Sequence, residues 1–168
     1  MRKIRYAVAT SLDGYIAGPN GEADWIVIDP EVDFAAIWAQ FDTLLMGRRT
    51  YEAATKRLGE AAFTGITSIV FSRTMKQRDH TGVTVVSELT AHWVQALQTR
   101  SGKDIWLMGG SELFRSFMDS GHVDTVEVRR YTRVVGRRRS AAPSSLQSIQ
   151  IEVAEPPGLP FGKVVIGI

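Results

Sequence analysis

Thr43-Leu44-Leu45-Met46-Gly47-Arg48-Arg49-Thr50-Tyr51-Glu52 is the segment around which the chain is organised. A short apolar run with the character of a buried strand meets a glycine, two arginines and a hydroxyl residue, and a helix-forming segment, Glu52 to Leu58, follows at once. Gly47 lets a backbone approach a ligand closely, the free amides of the next helical turn point outward, and Arg48 and Arg49 carry guanidinium groups that fit phosphate bidentately. The same junction also arises where a helix start only needs a solvated basic turn. A phosphate site is the reading with chemical content, and it needs a second junction to stand.

That second junction is Asp104-Ile105-Trp106-Leu107-Met108-Gly109-Gly110-Ser111-Glu112-Leu113-Phe114, where another apolar run meets paired glycines before Ser111 and Glu112 open a helix. Glycines at such a point remove the Cβ atoms that would hold a pyrophosphate away from the helix N-terminus. Two strand-to-helix anion sites in one chain suggest a dinucleotide.

The totals set bounds. A chain of 168 residues with 44% hydrophobic residues suits a single domain, residues 1–168, with a proper core. The formal charge is +2, yet Arg129, Arg130, Arg133, Arg137, Arg138 and Arg139 fall close together, so the basicity is local and the remainder is acidic. With no cysteine there are no disulfides, no thiolate zinc sites and no cysteine nucleophile, which fits a reducing, cytoplasmic setting. His80, His92 and His122 are scattered and none stands at ligand spacing from another, so no metal site is expected. The apolar run behind Arg2, Lys3 and Arg5 is broken by Asp13, and no stretch is long enough to span a bilayer, so no membrane association is expected.

Ile4 to Ala9 reads as a first buried strand and Thr10 to Asp24 as a long glycine-punctuated loop with an apolar insertion, Tyr15-Ile16-Ala17, suited to lie over a ligand. Asp29-Pro30-Glu31 reads as a helix start with Asp29 as cap, and Phe34, Ile37, Trp38 and Phe41 then mark one helical face. Asp33, beside that stripe, is either a solvated first-turn acid or a carboxylate looking into the cavity beneath the loop. Thr67 to Phe71 is a further strand, ending in Ser72-Arg73-Thr74, again a hydroxyl and an arginine at a strand's exit. Val83 to Val86, a helix from about Thr90, Ile105 to Met108, a helix from Ser111 to Met118 and a strand from Val123 to Tyr131 follow. The alternation predicts an α/β fold with a largely parallel sheet covered on both faces, and ligands at the carboxyl ends of its strands. Gln150 to Glu155 and Lys163 to Ile168 read as a C-terminal antiparallel hairpin joined by Pro156-Pro157-Gly158-Leu159-Pro160.

Ser11-Leu12-Asp13-Gly14-Tyr15-Ile16-Ala17-Gly18, Asp24-Trp25, Leu45 to Glu52, Val70-Phe71-Ser72-Arg73-Thr74 and Leu107-Met108-Gly109-Gly110 resemble the dihydrofolate reductase fold, in order and at matching spacing over roughly residues 3 to 131. The branch they resemble best is the C-terminal reductase domain of the bifunctional riboflavin-biosynthesis deaminase-reductase. The resemblance implies NADPH as cofactor. It implies that Gly47, Arg48, Arg49 and Thr50 hold phosphates, that Ser72, Arg73 and Thr74 face the adenosine 2′-phosphate, and that Gly109, Gly110, Ser111, Glu112 and Leu113 take the pyrophosphate. Ala7, Asp13 and Ile16 would border the nicotinamide, with Trp25 near the cavity. In folate-reducing relatives a carboxylate on the first helix orients the pterin, and Asp33 is the candidate catalytic residue for that position.

The resemblance also has departures. Pyrimidine reductases of the riboflavin pathway tend to carry a serine before the loop tryptophan and a glutamate before the phosphate-binding glycine, where this chain has Ala23 and Met108. The relatives' proline-and-glycine segment after the late strand is replaced by Thr132 to Arg139, where Arg130 and Arg133 are candidates to bind a substrate phosphate. The expected activity is an NADPH-dependent reduction of a small pyrimidine- or pteridine-like substrate, resembling 5-amino-6-(5-phosphoribosylamino)uracil reductase. The alternatives are a dihydrofolate reductase proper, and a non-catalytic NADP-binding or arginine-rich nucleic-acid-binding protein. Nucleic acid is the weaker partner because the arginines lack interleaved aromatic residues for stacking bases. By analogy with relatives that pair through C-terminal strands, a homodimer is expected.

Overall fold

The computed structural model describes residues 1–11, 14–18, 21–24, 26, 33–130, 139–140 and 163–167. Its centre is a seven-stranded sheet built from β1 (Ile4–Thr10), β3 (Phe41–Gly47), β4 (Thr67–Phe71), β5 (Thr84–Val86), β6 (Asp104–Gly109), β7 (Thr125–Arg130) and β9 (Lys163–Gly167), in the order β5-β4-β3-β6-β1-β7-β9. All neighbours are parallel except β7 and β9, which are antiparallel. Two short strands, β2 (Tyr15–Ala17) and β8 (Arg139–Ser140), pair apart from the main sheet.

Among the described residues, four α-helices cover the sheet: α1 (Phe34–Trp38), α2 (Arg48–Leu58), α3 (Ala91–Gln98) and α4 (Ser111–Asp119). Leu44, Leu45 and Met46 are buried in succession, as a central parallel strand with both faces covered requires. Leu45 joins Ile4, Tyr6, Leu107, Val94 of α3 and Phe114 and Phe117 of α4 in one cluster. Leu44 and Met46 join Tyr51 of α2 in the other, with Trp38 of α1, Trp106 and Met108 packed against it. Successive strand residues point to opposite faces, so α1 and α2 lie on one side of the sheet and α3 and α4 on the other.

The predicted first helix starts later than its sequence suggests. Asp33 caps it, accepting the amide of Ala36 at 2.9 Å, while Asp29 lies outside the described residues. Phe41 is not on the helical stripe; it is the first residue of β3, and its ring packs 5.3 Å from that of Trp106. Phe34 is 39% exposed, so the stripe reduces to Ile37 and Trp38, both half-buried. The short connection through Ala39 and Gln40 turns the chain before a second helical turn is complete. Of the expected C-terminal hairpin, the second strand is β9, paired with β7, and residues 150–155 lie outside the described residues.

Candidate functional site

The connections around β3 and β6 run in opposite senses. From β3 the chain enters α2 and moves to β4 on one side; from β6 it enters α4 and crosses the other face to β7. Adjacent parallel strands whose following helices depart to opposite faces leave a crevice beyond their carboxyl ends, and ligands of open α/β sheets bind in such a crevice. Gly47 and Gly109 end those two strands.

Three exits are level with one another. In register, Met46 of β3 faces Gly109 of β6, and Gly47 faces Phe71 of β4. Arg48, Gly110 and Ser72 therefore leave the sheet side by side. A Cβ on Gly47 would stand 3.8 Å from the Gly109 carbonyl oxygen and the Gly110 nitrogen, and a Cβ on Gly110 would stand 3.5 Å from the Thr50 hydroxyl. Gly109 has φ +112°, a conformation that L side chains rarely adopt, and its peptide bond to Gly110 is cis. Neither α2 nor α4 has a side chain capping its N-terminus, since Gly47 and Gly110 occupy the cap positions. The first amides of both helices thus begin at the crevice with no N-cap side chain accepting them among the described residues.

The third exit is held by its own hydroxyl. Ser72 Oγ accepts the amides of Thr74 (3.2 Å) and Met75 (3.0 Å), and its own amide donates to the Val86 carbonyl at 2.9 Å. That turn puts Arg73 at its exposed tip, where it makes no ion pair among the described residues. Arg49 is exposed and equally unpaired among them, whereas Arg48 meets Glu52 at 2.8 Å on the outer surface of α2. The arginines of the first junction are not equivalent, and Arg49 is the one left for an anion. Ser111, Glu112 and Leu113 form the first turn of α4, Glu112 being exposed and Ser111 and Leu113 half-buried.

On the other side of β6 the sheet comes apart. β1 pairs with β6 only as far as Tyr6 opposite Leu107, but with β7 as far as Thr10 opposite Arg130. The Ala7 carbonyl, freed from strand pairing with β6, accepts the Trp106 indole N–H at 3.1 Å. Ala7 and Ile16, expected around a nicotinamide, are both half-buried; at the start of β2 the Tyr15 carbonyl accepts the Ser11 amide at 2.9 Å and the Tyr15 amide donates to Ser11 Oγ at 2.9 Å. Asp13, Trp25 and Arg133 lie outside the described residues, and Arg130 is the last residue of β7. Asp33 is exposed and occupied as the helix cap.

Three groups were not among the expected site residues. Trp106 stands at the opening between β1 and β6. Arg5 Nε donates to Glu127 Oε1 at 2.9 Å and its Nη2 pairs with the same oxygen, so an ion pair lies on the α1 face of β1 and β7. Arg57, in the last turn of α2, donates to the carbonyls of Ala23 (2.8 Å) and Ile26 (3.2 Å) and ties the loop's return leg to that helix. The strict alternation in Thr125-Val126-Glu127-Val128-Arg129 is the signal that puts Glu127 and Arg129 on one face; nothing in the sequence pairs Arg5 with Glu127.

Among the described residues, no group of acids and histidines is arranged to hold a metal ion, and no helix is long and apolar enough to cross a membrane.

Known proteins resemble this chain in sequence and in fold. The uncharacterized protein YyaP of Bacillus subtilis is 32% identical over 147 residues, spanning 80% of this chain and 77% of YyaP. YwjB of the same organism, also uncharacterized, is 30% identical over 126 residues, 73% of this chain and 72% of that protein. Among solved structures, a protein named for riboflavin biosynthesis from Shewanella sp. PV-4 superimposes with TM-score 0.80 at 22% identity, covering 99% of this chain and 98% of the other. A Thermotoga maritima diaminohydroxyphosphoribosylaminopyrimidine deaminase/5-amino-6-(5-phosphoribosylamino)uracil reductase matches with TM-score 0.67 at 20% identity; 99% of this chain spans 56% of that bifunctional protein. Dihydrofolate reductase of Enterococcus faecalis, solved with NADP(H), matches with TM-score 0.71 at 18% identity over 98% of this chain and 95% of the enzyme. The fold is therefore dihydrofolate reductase-like, and since residues 2–155 match the RibD C-terminal domain model, the chain belongs to that family.

Proposed function

We propose that the chain is an NADPH-dependent reductase that delivers a hydride to a small pyrimidine- or pteridine-like heterocycle. The observation that carries this reading is the alignment of three strand exits, two of them glycine-floored helix N-termini and the third an arginine-tipped turn, on one edge of the sheet. A pyrophosphate suits the first two, because bare amides and helix dipoles meet its charge where no Cβ intervenes. An additional phosphate suits the third, where Arg73 and the Ser72 hydroxyl offer charge-assisted bonds. Relatives of the same fold support it: one was solved with NADP(H), and another is named as a uracil-type reductase.

In this reading Gly47, Arg49 and Thr50 hold one side of the pyrophosphate, Gly110, Ser111 and Leu113 the other, and Ser72, Arg73 and Thr74 the 2′-phosphate. When bound, the coenzyme supplies the hydride. The chain's own part is to hold the reacting ring at the opening beside Ala7, cover it with the segment around Ile16, and exclude water. The reading as dihydrofolate reductase proper is weaker, because it needs a carboxylate from the first helix in the cleft and Asp33 is exposed and engaged in capping. We further propose that two copies associate along β9, the outer strand of the sheet.

The test is thermal protection by coenzyme. NADPH is expected to raise the melting temperature more than NADH at equal concentration, and Arg73→Ala is expected to erase the difference. Equal protection of the unaltered protein by both coenzymes overturns the assignment of the 2′-phosphate to Arg73.

A further inference from the structure

We infer that the Gln77 side chain seals the outer edge of β5 against pairing with the β5 of a second copy of this chain. The inference concerns the outer side of that strand and is independent of the reductase reading.

Among the described residues β5 ends the sheet, paired on one side only, with β4. Its inner side is spent on β4 and on the Ser72 amide, which the Val86 carbonyl accepts at 2.9 Å. Val83-Thr84-Val85-Val86 is an unbroken β-branched run, and residues 81–87 contain neither a charge nor a proline. Uncharged segments of that composition pair readily with copies of themselves, and natural sheets blunt such edges with a lysine, a proline or a bulge in the strand. β5 has no lysine or proline, its register with β4 runs without a shift, and Thr84 is exposed.

Gln77 acts in their place. Its side-chain nitrogen donates to the Val83 carbonyl at 2.9 Å, and its side-chain oxygen accepts the Val85 amide at 2.8 Å. Donating to one residue and accepting from the residue two places on is how a single residue of a parallel neighbour engages a strand. One side-chain amide thus stands in for one residue of a further strand. The nitrogen's other proton goes to the His80 carbonyl at 2.8 Å, so both donor positions are used. The His80 amide in turn donates to the Gln77 carbonyl at 3.1 Å, closing the turn Gln77–Asp79 that carries the side chain.

The bonds to His80 and Val85 are exposed. Water replaces a lost partner there at little cost, while immobilising a glutamine loses rotamer freedom, so the contact returns little stability. What it changes is which groups of β5 are open to another chain. If Gln77 only fastened the loop between β4 and β5, its removal would lower the melting temperature and leave assembly as it was.

The experiment compares the full chain with Gln77→Ala by sedimentation velocity, from micromolar to millimolar protein, and by residue-resolved amide hydrogen exchange. Gln77→Ala is expected to melt within about 2 °C of the parent and to add, as concentration rises, a discrete species of twice the parent's mass, whatever the parent's own assembly. In dilute Gln77→Ala the Val85 amide is expected to exchange about fivefold faster than in the parent, the size of one net hydrogen bond, and to slow again as the new species forms. Sedimentation like the parent's at every concentration overturns the inference. So does a new species in which the Val85 amide stays as fast as in the dilute variant, since the copies then meet elsewhere. Unchanged Val85 exchange in the dilute variant overturns it as well, because Gln77 is then not what covers that amide.

Discussion

Thr50, in the first turn of α2, faces Gly110, at the head of α4, so closely that a Cβ on Gly110 would stand 3.5 Å from the threonine hydroxyl oxygen. Two helices that leave the sheet on opposite faces thus begin within van der Waals reach of each other, and only glycines keep the space between them open. At Gly47 and Gly110 φ is negative, so alanine fits the backbone of both, and the contacts it would make are ordinary ones. Gly47→Ala and Gly110→Ala are each expected to leave the melting temperature within about 2 °C of the parent and to weaken NADPH binding about tenfold, by filling the space a phosphate needs. Calorimetric titration decides it, and undiminished affinity in both variants removes the phosphates from this gap.

Tyr6 shows a different kind of tension. Its ring is stacked on Phe114, with centroids 3.8 Å apart, and its buried hydroxyl has no hydrogen-bond partner among the described residues. A buried unsatisfied hydroxyl costs about 1–3 kcal/mol, so Tyr6→Phe is expected to stabilise the fold, raising the melting temperature by a few degrees. Burial also pushes the Tyr6 pKa up from its ordinary value near 10. The unfolded chain therefore ionises this tyrosine first, so its contribution is intact below about pH 10 and is lost as the pH climbs above that. Urea titrations at neutral pH and above pH 10 test both points: Tyr6→Phe is expected to be the more stable protein, and to lose less stability across the alkaline range. A variant less stable than the parent at neutral pH refutes the reading of the hydroxyl as unsatisfied.

Arg57 closes the loop that follows β1. Its guanidinium donates to the carbonyls of Ala23 and Ile26, reaching from the last turn of α2 to the loop's return leg. Arg57→Ala is expected to leave global stability nearly unchanged, since these bonds are exposed, and to accelerate proteolytic cleavage between Ser11 and Ile26 by freeing that leg. Limited proteolysis followed by mass spectrometry locates the cut. Unchanged cleavage kinetics exclude Arg57 as the tie.

Sequence patterns and structure agree where the signal is local. The strand-glycine-helix junctions at Gly47 and Gly109, and the hydroxyl-arginine exit at Ser72, depend on neighbouring residues and are legible as written. The first helix was harder: Asp29 and Asp33 both precede apolar residues at helical spacing, and only the backbone shows that Asp33 is the cap. Phe41 continues the helical spacing by coincidence, because the two-residue turn after Trp38 leaves it in phase with a helix that has already ended. The ion pair of Arg5 with Glu127 spans most of the chain and depends on β1 lying beside β7, a sheet order that no local pattern contains. Trp106 reads as core by composition, and its bond to the Ala7 carbonyl follows only from the place where two strands part.

At the opposite end of the sheet, far from the crevice, Arg2 is 8% exposed and fully employed. It pairs with Asp42, donates to Thr43 Oγ1 at 2.7 Å, and bonds the Lys103 carbonyl through Nε, while Asp42 accepts the Lys103 amide at 2.8 Å. Gly102 adjoins this knot with φ +153°, and a Cβ there would collide with Asp42 Oδ2 and lie 3.3 Å from the Arg2 guanidinium carbon. Backbone strain and lost space act in the same direction, so Gly102→Ala is expected to destabilise the fold by about 1–3 kcal/mol. Arg2→Met is expected to cost at least as much, because it leaves Asp42 without its cation in a partly buried place. The knot joins the amino ends of β1, β3 and β6, whereas the crevice lies at their carboxyl ends, so folded Gly102→Ala is expected to bind NADPH with the parent's affinity. Chemical denaturation measures the first effect and titration well below the melting temperature the second. A variant of parental stability dissolves the steric argument, and a stable variant with impaired binding denies that the two ends of the sheet are independent.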